Sequence, residues 1–141
     1  KYEIKHWHWD KPEILNELVA RINKIRRENP ALQTTWNLRF YNIDNDHLLF
    51  YGKATPDLSN IILVVVNLDP FHTQAGWLTM PLAELGIDPA RTYLMHDLIS
   101  NDKHLWQGEK NHFEINPAIM PAAIFQVHRQ PRREEDFDYF L

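Results

Sequence analysis

The stretch Ile61-Ile62-Leu63-Val64-Val65-Val66-Asn67-Leu68 is almost entirely apolar, rich in β-branched residues, and followed by the chain-breaking pair Asp69-Pro70. Successive side chains of a strand point to opposite faces of the sheet, so a strand this apolar must be covered on both faces. The run is also far shorter than the roughly 20 apolar residues that a membrane-spanning helix needs. It therefore predicts a central, doubly covered β-strand and no membrane partner.

Shorter strand patterns bounded by turn residues lie on both sides of this central run. The turn Asp44-Asn45-Asp46 predicts a hairpin upstream, and the turn Gly108-Glu109-Lys110 predicts a second hairpin downstream. About seven or eight short strands at this spacing predict a mainly β fold, an antiparallel Greek-key β-sandwich over residues 33–130. The predicted strands are Trp36–Ile43, Leu48–Ala54, Ile61–Leu68, Ala75–Met80, Thr92–Leu98, Leu105–Gln107, Asn111–Ile115 and Ala122–Arg129.

The first thirty residues have the pattern of an amphipathic α-helix, which we place at about 11–28. Asp10 and Glu13 predict an N-terminal capping box, and Asn29-Pro30 predicts the helix end. A helix with so wide an apolar stripe must bury it, either on the outside of the sandwich or against a preceding domain. Its apolar positions are Ile14, Leu15, Leu18, Val19, Ile22 and Ile25.

Composition narrows the classes of function. The 141 residues and 16.8 kDa fit one domain, or one domain with an appended element. The net charge of −4 argues against a nucleic-acid partner, and the absence of cysteine excludes disulfides and thiolate metal sites. No signal peptide is visible, so we expect a cytoplasmic protein. Because the first residue is Lys1 and not Met, we also expect the chain to be a piece of a longer one.

Catalytic and metal-binding patterns are weak throughout the chain. His6 and His8 could share one side of an extended segment with Asp10, but no third ligand stands at a metal-binding spacing. The aspartates occur at turn-like or strand-end positions, where their side chains bond backbone N–H groups. We therefore expect no metal, no cofactor and no catalytic residue in this chain. The aspartates considered are Asp44, Asp46, Asp69, Asp88, Asp97 and Asp102.

Five tryptophans are unusually many for this length: Trp7, Trp9, Trp36, Trp77 and Trp106. An exposed indole can stack on the apolar face of a sugar ring. The more common role of tryptophan is to fill a core or a contact with a neighbouring domain. We expect that more common role for Trp36, Trp77 and Trp106, and a seam between domains for Trp7 and Trp9.

Four segments resemble a known enzyme family. The run Ala20–Leu32, with the sequence ARINKIRRENPAL, resembles the last barrel helix of the α-amylase superfamily. Three further segments narrow the resemblance to one branch of that superfamily. They are the opening Lys1-Tyr2-Glu3-Ile4, the segment Leu105–Asn111 and the segment Pro121–Val127. Together they resemble the α-1,4-glucan:maltose-1-phosphate maltosyltransferase branch of glycoside hydrolase family 13.

The resemblance implies a parent enzyme that transfers maltosyl units from α-maltose 1-phosphate to an α-1,4-glucan with release of phosphate. The family's catalytic Asp and Glu would precede Lys1, so this chain alone is expected to be inactive. Residues 1–32 would be the end of the catalytic barrel, 33–130 the C-terminal domain and 131–141 a tail. Lys1 and Tyr2 match a pair that contacts the donor maltosyl unit in the full-length enzyme.

The resemblance also implies partners. They are the catalytic barrel of the same polypeptide, and the glucan and maltose 1-phosphate through the full enzyme. In the isolated chain, the apolar stripe of the helix could instead pair with a second copy as a homodimer. Two alternatives stay open: a parent that is an amylase-type hydrolase, and a sandwich that is an autonomous glucan-binding module.

Overall fold

Strands dominate the computed structural model, which describes residues 11–129. Within that range a single helix, α1, precedes a short 3₁₀ segment and eight strands. In chain order these elements are α1 (Pro12–Glu28), the 3₁₀ segment (Pro30–Gln33), β1 (Arg39–Phe40), β2 (Leu48–Ala54), β3 (Ile61–Asn67), β4 (Gln74–Thr79), β5 (Thr92–Asp97), β6 (Lys103–Gln107), β7 (Lys110–Ile115) and β8 (Ala122–Arg129).

The strands form two antiparallel sheets of unequal size. The large sheet has the order β1-β2-β3-β8-β5-β6, and the small sheet pairs β4 with β7. The last strand, β8, returns to lie beside β5, while β6 lies on the other side of β5 and β7 lies in the small sheet. This is the Greek-key order, with its third strand moved to the opposite sheet. The predicted fold class is confirmed.

The main core lies between the two sheets. Val65, Tyr93 and Phe125 of the large sheet meet Leu78 and Ile115 of the small sheet in one buried cluster. The alternate side chains of β3 point the other way, where Ile62 and Val64 lie beneath the 3₁₀ segment. The central strand is therefore covered on both faces, as its sequence predicts.

The outer face of the large sheet is covered by α1. Leu18 and Ile25 pack on Ile99 just beyond β5. The buried side chain of Asn29 joins the helix end to the sheet: it donates to the Ile25 carbonyl at 2.8 Å and accepts from the Gln126 amide at 3.2 Å. The order of layers is therefore helix, large sheet, small sheet.

The helix occupies the predicted residues, but its first turn differs from the prediction. The N-cap residue is Lys11, and its side chain makes no capping hydrogen bond. Pro12 takes the first helical position, which suits it because the backbone N–H that proline lacks would have no helical partner there. The predicted Asp10–Glu13 capping box is therefore wrong, since the cap position falls one residue later than Asp10.

The predicted hairpin at Gly108 is also wrong. β6 pairs with β5 and β7 pairs with β4, so the turn carries the chain from one sheet to the other. Gly108 has φ +75°, and its carbonyl accepts a hydrogen bond from the Tyr93 hydroxyl at 2.7 Å. The reason lies in the core: Trp106 of β6 and Phe113 of β7 meet there with ring centroids 6.2 Å apart, one from each sheet.

The first predicted strand is much shorter than expected. Within Trp36–Ile43 only Arg39–Phe40 forms a strand, and Ile43 makes an isolated bridge to Leu78. Asn37 explains the irregular start, because its side-chain amide donates to the carbonyls of Ala31 and Ala54 at 3.0 and 3.1 Å. A side chain that bonds the backbone in this way competes with regular strand pairing.

Two loop aspartates make the fold sensitive to acid. The backbone N–H and hydroxyl of Ser59 hold the pKa of Asp57 at about 2. The Phe71 N–H and the Gln74 amide do the same for Asp69, whose pKa is also about 2. Both carboxylates bind protons less readily in the folded than in the unfolded chain, where the pKa is about 3.9. Their contribution is therefore complete above that value and is lost as pH falls towards about 2.

We expect the urea midpoint of the chain to fall steeply between pH 4 and pH 2.5, and less steeply in the double variant Asp57→Asn, Asp69→Asn. Urea unfolding at several pH values, followed by circular dichroism, measures this. Asp46→Asn removes an exposed turn carboxylate and serves as the control. An equally steep acid limb in the double variant would contradict the prediction.

Candidate functional site

The substrate-binding residues implied by the resemblance, Lys1 and Tyr2, lie outside the described residues, and so do Trp7 and Trp9. The same is true of the His6, His8 and Asp10 set. Within residues 11–129, no group of three His, Asp or Glu side chains is placed to hold a metal ion. No helix in that range has the length and apolar character needed to cross a membrane. The roles of Lys1 and Tyr2 stay predictions.

Three of the described aspartates accept hydrogen bonds from backbone N–H groups. Asp44 Oδ1 accepts the Trp77 N–H at 2.6 Å, and Asp88 Oδ1 accepts the Ala90 N–H at 2.9 Å. Asp97 is buried and accepts the N–H groups of Ile99 and Ile124 at 3.0 and 3.3 Å. Burial raises the pKa of Asp97 above its ordinary value. These contacts explain why aspartate stands at these three positions without assigning it a catalytic role.

A polar groove of about 650 Å³ runs between α1 and the large sheet. Its side chains are already paired with each other or with the backbone. His96 Nε2 lies 2.7 Å from Asn101 Oδ1, Gln126 donates to Asn29, and Arg21 donates to the Ile99 carbonyl. The groove therefore joins the helix to the sheet, and its polar groups are used in that joint.

One side of α1 carries apolar side chains that nothing in the described part of the chain covers. Leu15, Val19 and Ile22 are 51%, 49% and 40% exposed. They lie beside the docked residues Leu18 and Ile25 on the same amphipathic helix. We call Leu15, Val19 and Ile22 the open stripe. The sandwich leaves these three side chains 40–51% exposed, so the open stripe has the character of a docking surface.

The three tryptophans among residues 11–129 have different surroundings. Trp106 is buried in the core, as predicted. Trp36 is 88% exposed in the turn after the 3₁₀ segment, and Trp77 is 50% exposed on β4. Neither fills the core. The alternation of Gln74–Thr79 could have predicted the position of Trp77, because Gly76 and Leu78 point inward and leave it on the outer face.

The outer face of the small sheet carries Trp77 among polar side chains. Its cross-strand partner is His112, whose ring meets the indole edge-on with centroids 5.2 Å apart. Thr79 pairs with Lys110 on the same face, and the Lys110 ammonium donates to the Thr79 hydroxyl. We call this surface, formed by Ala75, Trp77 and Thr79 of β4 and Lys110, His112 and Glu114 of β7, the Trp77 face.

Known proteins match this chain over nearly its whole length. Residues 40–127 match the family model described as GLGE, C-terminal. The α-1,4-glucan:maltose-1-phosphate maltosyltransferase of Rhodospirillum rubrum is 46% identical over 127 residues, which cover 90% of this chain and 18% of that protein. The enzyme of the same name from Myxococcus xanthus is 42% identical over 140 residues, 99% of this chain and 21% of that protein.

Solved structures with the same fold come from more distant proteins. The α-amylase of Geobacillus thermoleovorans has a TM-score of 0.61 at 15% identity, covering 86% of this chain and 24% of that one. An Anoxybacillus α-amylase has a TM-score of 0.60 at 14% identity, covering 87% and 24%. At such low identity these two likenesses show the fold alone.

The chain spans about a fifth of the length of the curated relatives that it matches. The family model covers more than half of the chain, from β1 through most of β8. The maltosyltransferase resemblance predicted from the sequence is thereby confirmed. This chain belongs to the GLGE C-terminal domain family, and its relatives at 42–46% identity are maltosyltransferases.

Proposed function

We propose that this chain is the non-catalytic C-terminal domain of an enzyme that transfers maltosyl units from α-maltose 1-phosphate to an α-1,4-glucan. The domain packs against the catalytic domain of the same polypeptide. The relatives named as enzymes of that activity are several times longer than this chain, and they match 90–99% of its length. The amylases share only the fold, at 14–15% identity, so the transferase is favoured over a hydrolase parent.

The observation that carries the proposal is the open stripe. Three large apolar side chains in a row on α1 cost free energy when they face water, because exposed apolar surface is worth about 25 cal/mol per Å² when it is buried. The other half of the same helix is already docked on the large sheet. The helix packs on the sandwich with one side and exposes apolar side chains on another. Such a helix is suited to join two domains.

The proposed domain boundaries are those that the sequence predicts. We place the end of the catalytic barrel at residues 1–32, the C-terminal domain at 33–130 and a tail at 131–141. Lys1 and Tyr2 belong to the barrel in this proposal, where they would donate hydrogen bonds to hydroxyls of the donor maltosyl unit. The cytoplasmic location expected from the sequence stays a prediction.

The first test is phosphate release. This chain, supplied with α-maltose 1-phosphate and a maltooligosaccharide, should release no phosphate, and the Rhodospirillum rubrum enzyme should release it under the same conditions. Release by this chain alone would overturn the proposal, because it would place the catalytic residues within these 141 residues.

A chimera tests the packing. In the Rhodospirillum rubrum enzyme, the matching fifth of the protein is replaced by this chain. We expect Val19→Asp to lower phosphate release several-fold and the thermal midpoint by roughly 5 °C, because it buries an unpaired carboxylate between the domains. In this chain by itself the same change should alter stability by less than about 0.5 kcal/mol, since Val19 faces water there.

The matched control is Leu68→Asp, which introduces the same charge at an exposed apolar residue of the β3–β4 loop. It should leave the chimera active. Equal loss of activity in the two variants, or full activity of both, would contradict packing through the open stripe.

The chain by itself has a second way to cover the open stripe, which is to pair with another copy. We propose that it forms such a homodimer at high concentration, and that Val19→Asp prevents it. Light scattering coupled to size-exclusion chromatography measures the mass directly. A dimer that persists in Val19→Asp would place the contact elsewhere.

A further inference from the structure

We propose that the Trp77 face binds an α-1,4-glucan chain, with one sugar ring stacked on the indole of Trp77. The face is an accessory site that holds polymer away from the catalytic domain. The choice of an α-1,4-glucan as ligand rests on the proposed function, whereas the position of the site rests on the geometry of the small sheet.

The backbone that carries the indole is held in place by its surroundings. The backbone N–H of Trp77 donates to Asp44 Oδ1, and the backbone N–H of Asp44 donates to the Trp77 carbonyl at 3.3 Å. Gly76 allows the turn that contains Asp44 to pack closely against β4, because a Cβ at position 76 would lie 3.0 Å from Asp44 Oδ1. His112 braces the ring from the neighbouring strand. A ligand therefore meets a ring that needs little further ordering, which favours binding.

The chemistry of the face suits a sugar polymer. The edge-on contact with His112 leaves half of Trp77 exposed, and its neighbours on the same face of β4 are the small residues Ala75 and Thr79. A pyranose has an apolar face of C–H groups that can pack on this surface. Lys110 and Glu114 lie on either side of His112 on the same face and supply a donor and an acceptor for sugar hydroxyls.

The position of the Trp77 face in the fold indicates that it stays exposed in a longer protein. The layers run from α1 through the large sheet to the small sheet, and Trp77 lies on the far surface of the last layer. A catalytic domain that docks on the open stripe approaches from the opposite side. Contact with that domain therefore does not explain why Trp77 is exposed, and a polymer ligand does.

The test uses this chain in native gels that contain glycogen, which measure affinity from the loss of mobility. The chain should be retarded by glycogen, and Trp77→Ala should weaken binding at least about tenfold. Trp77→Leu keeps an apolar side chain without the flat ring and should lose binding equally, while Trp77→Phe should keep part of it. Circular dichroism checks that each variant is folded.

Trp36→Ala is the matched control, because it removes an even more exposed indole from the turn after the 3₁₀ segment. It should bind glycogen like the unchanged chain. A gel containing hydroxyethylcellulose, a β-1,4-linked glucan, should retard none of these proteins.

Each other outcome overturns the site. No retardation of the unchanged chain means that there is no glucan site, and equal retardation of Trp77→Ala or Trp77→Leu places the site elsewhere. Equal retardation by hydroxyethylcellulose would mean that the site does not select an α-1,4-glucan. The chimera reports on the proposed function independently, so an active chimera with a non-binding chain would refute the Trp77 site alone.

Discussion

Replacing Phe125 by alanine is expected to lower the free energy of unfolding by about 3–5 kcal/mol. Phe125 lies on β8 at the centre of the large sheet and has no exposed surface. Its ring meets those of Phe113 and Trp106 with centroids 5.2 and 5.7 Å apart. Phe113 belongs to the small sheet, so the cavity would open where the two sheets meet. A domain of this size has only about 5–15 kcal/mol of stability, so this is a large fraction of it.

Urea unfolding followed by tryptophan fluorescence measures the loss, since Trp106 borders the cavity. Phe71→Ala is the matched control: the same atoms are removed from a side chain that is 85% exposed, and the expected change is below about 0.5 kcal/mol. A loss under about 1 kcal/mol for Phe125→Ala would mean that the two sheets close over the gap.

The second large effect is expected at the joint between α1 and the sheet. Asn29→Asp keeps the shape of the side chain but replaces the amide donor with a carboxylate oxygen. That oxygen would face the Ile25 carbonyl, which now accepts a hydrogen bond at 2.8 Å. The other oxygen would still accept from Asn60 and Gln126. A lost hydrogen bond and a buried charge without a cation should together cost about 3 kcal/mol.

The loss should appear first as opening of the helix. Hydrogen exchange resolved by peptide should show faster exchange in α1 before it shows any change in β3 or β8. Asn23→Asp makes the same chemical change at an exposed position of α1 and should have little effect. Uniformly faster exchange in helix and strands would show that the helix and the sandwich open as one unit.

Patterns local in sequence predicted most of the elements. Ile61–Val66 is apolar on both strand faces because both faces are covered, so its burial could be derived from composition alone. The helix was predicted within one residue because its apolar positions follow the helical repeat. Such periodic patterns report how a segment is buried. They do not report which strand it pairs with.

The hairpin at Gly108 was wrongly predicted because sequence patterns do not report strand pairing. Leu105–Gln107 and Asn111–Ile115 have a glycine turn between them and look like a hairpin, yet Trp106 and Phe113 must enter the core from different sheets. That requirement depends on β4 and β5, which lie far away in sequence. The strand β1 is shorter than predicted because the side chain of Asn37 bonds to the carbonyls of Ala31 and Ala54, contacts that composition does not encode.

The candidate site was predictable only in part. The notion that an exposed tryptophan could stack on a sugar follows from the residue type, but exposure decides which tryptophan qualifies. Trp106 and Trp77 both lie on strands. The alternation along β4 indicates that Trp77 faces outward, whereas the packing of the two sheets places Trp106 inside. Lys1 and Tyr2 rest on the family resemblance alone, since nothing in the residue pattern around them identifies a sugar site.

The place of β8 in the large sheet has a consequence for synthesis of the protein. The strand is the last element of the described chain, yet it lies between β3 and β5. Until the ribosome has released it, β1-β2-β3 and β5-β6 are two separate ribbons with no shared edge. The joint between Gln126 and Asn29 spans 97 residues and must wait for the same strand. Folding that depends on such distant contacts is slow. The nascent chain therefore carries its apolar helix and open sheet edges unprotected until translation of the domain is complete.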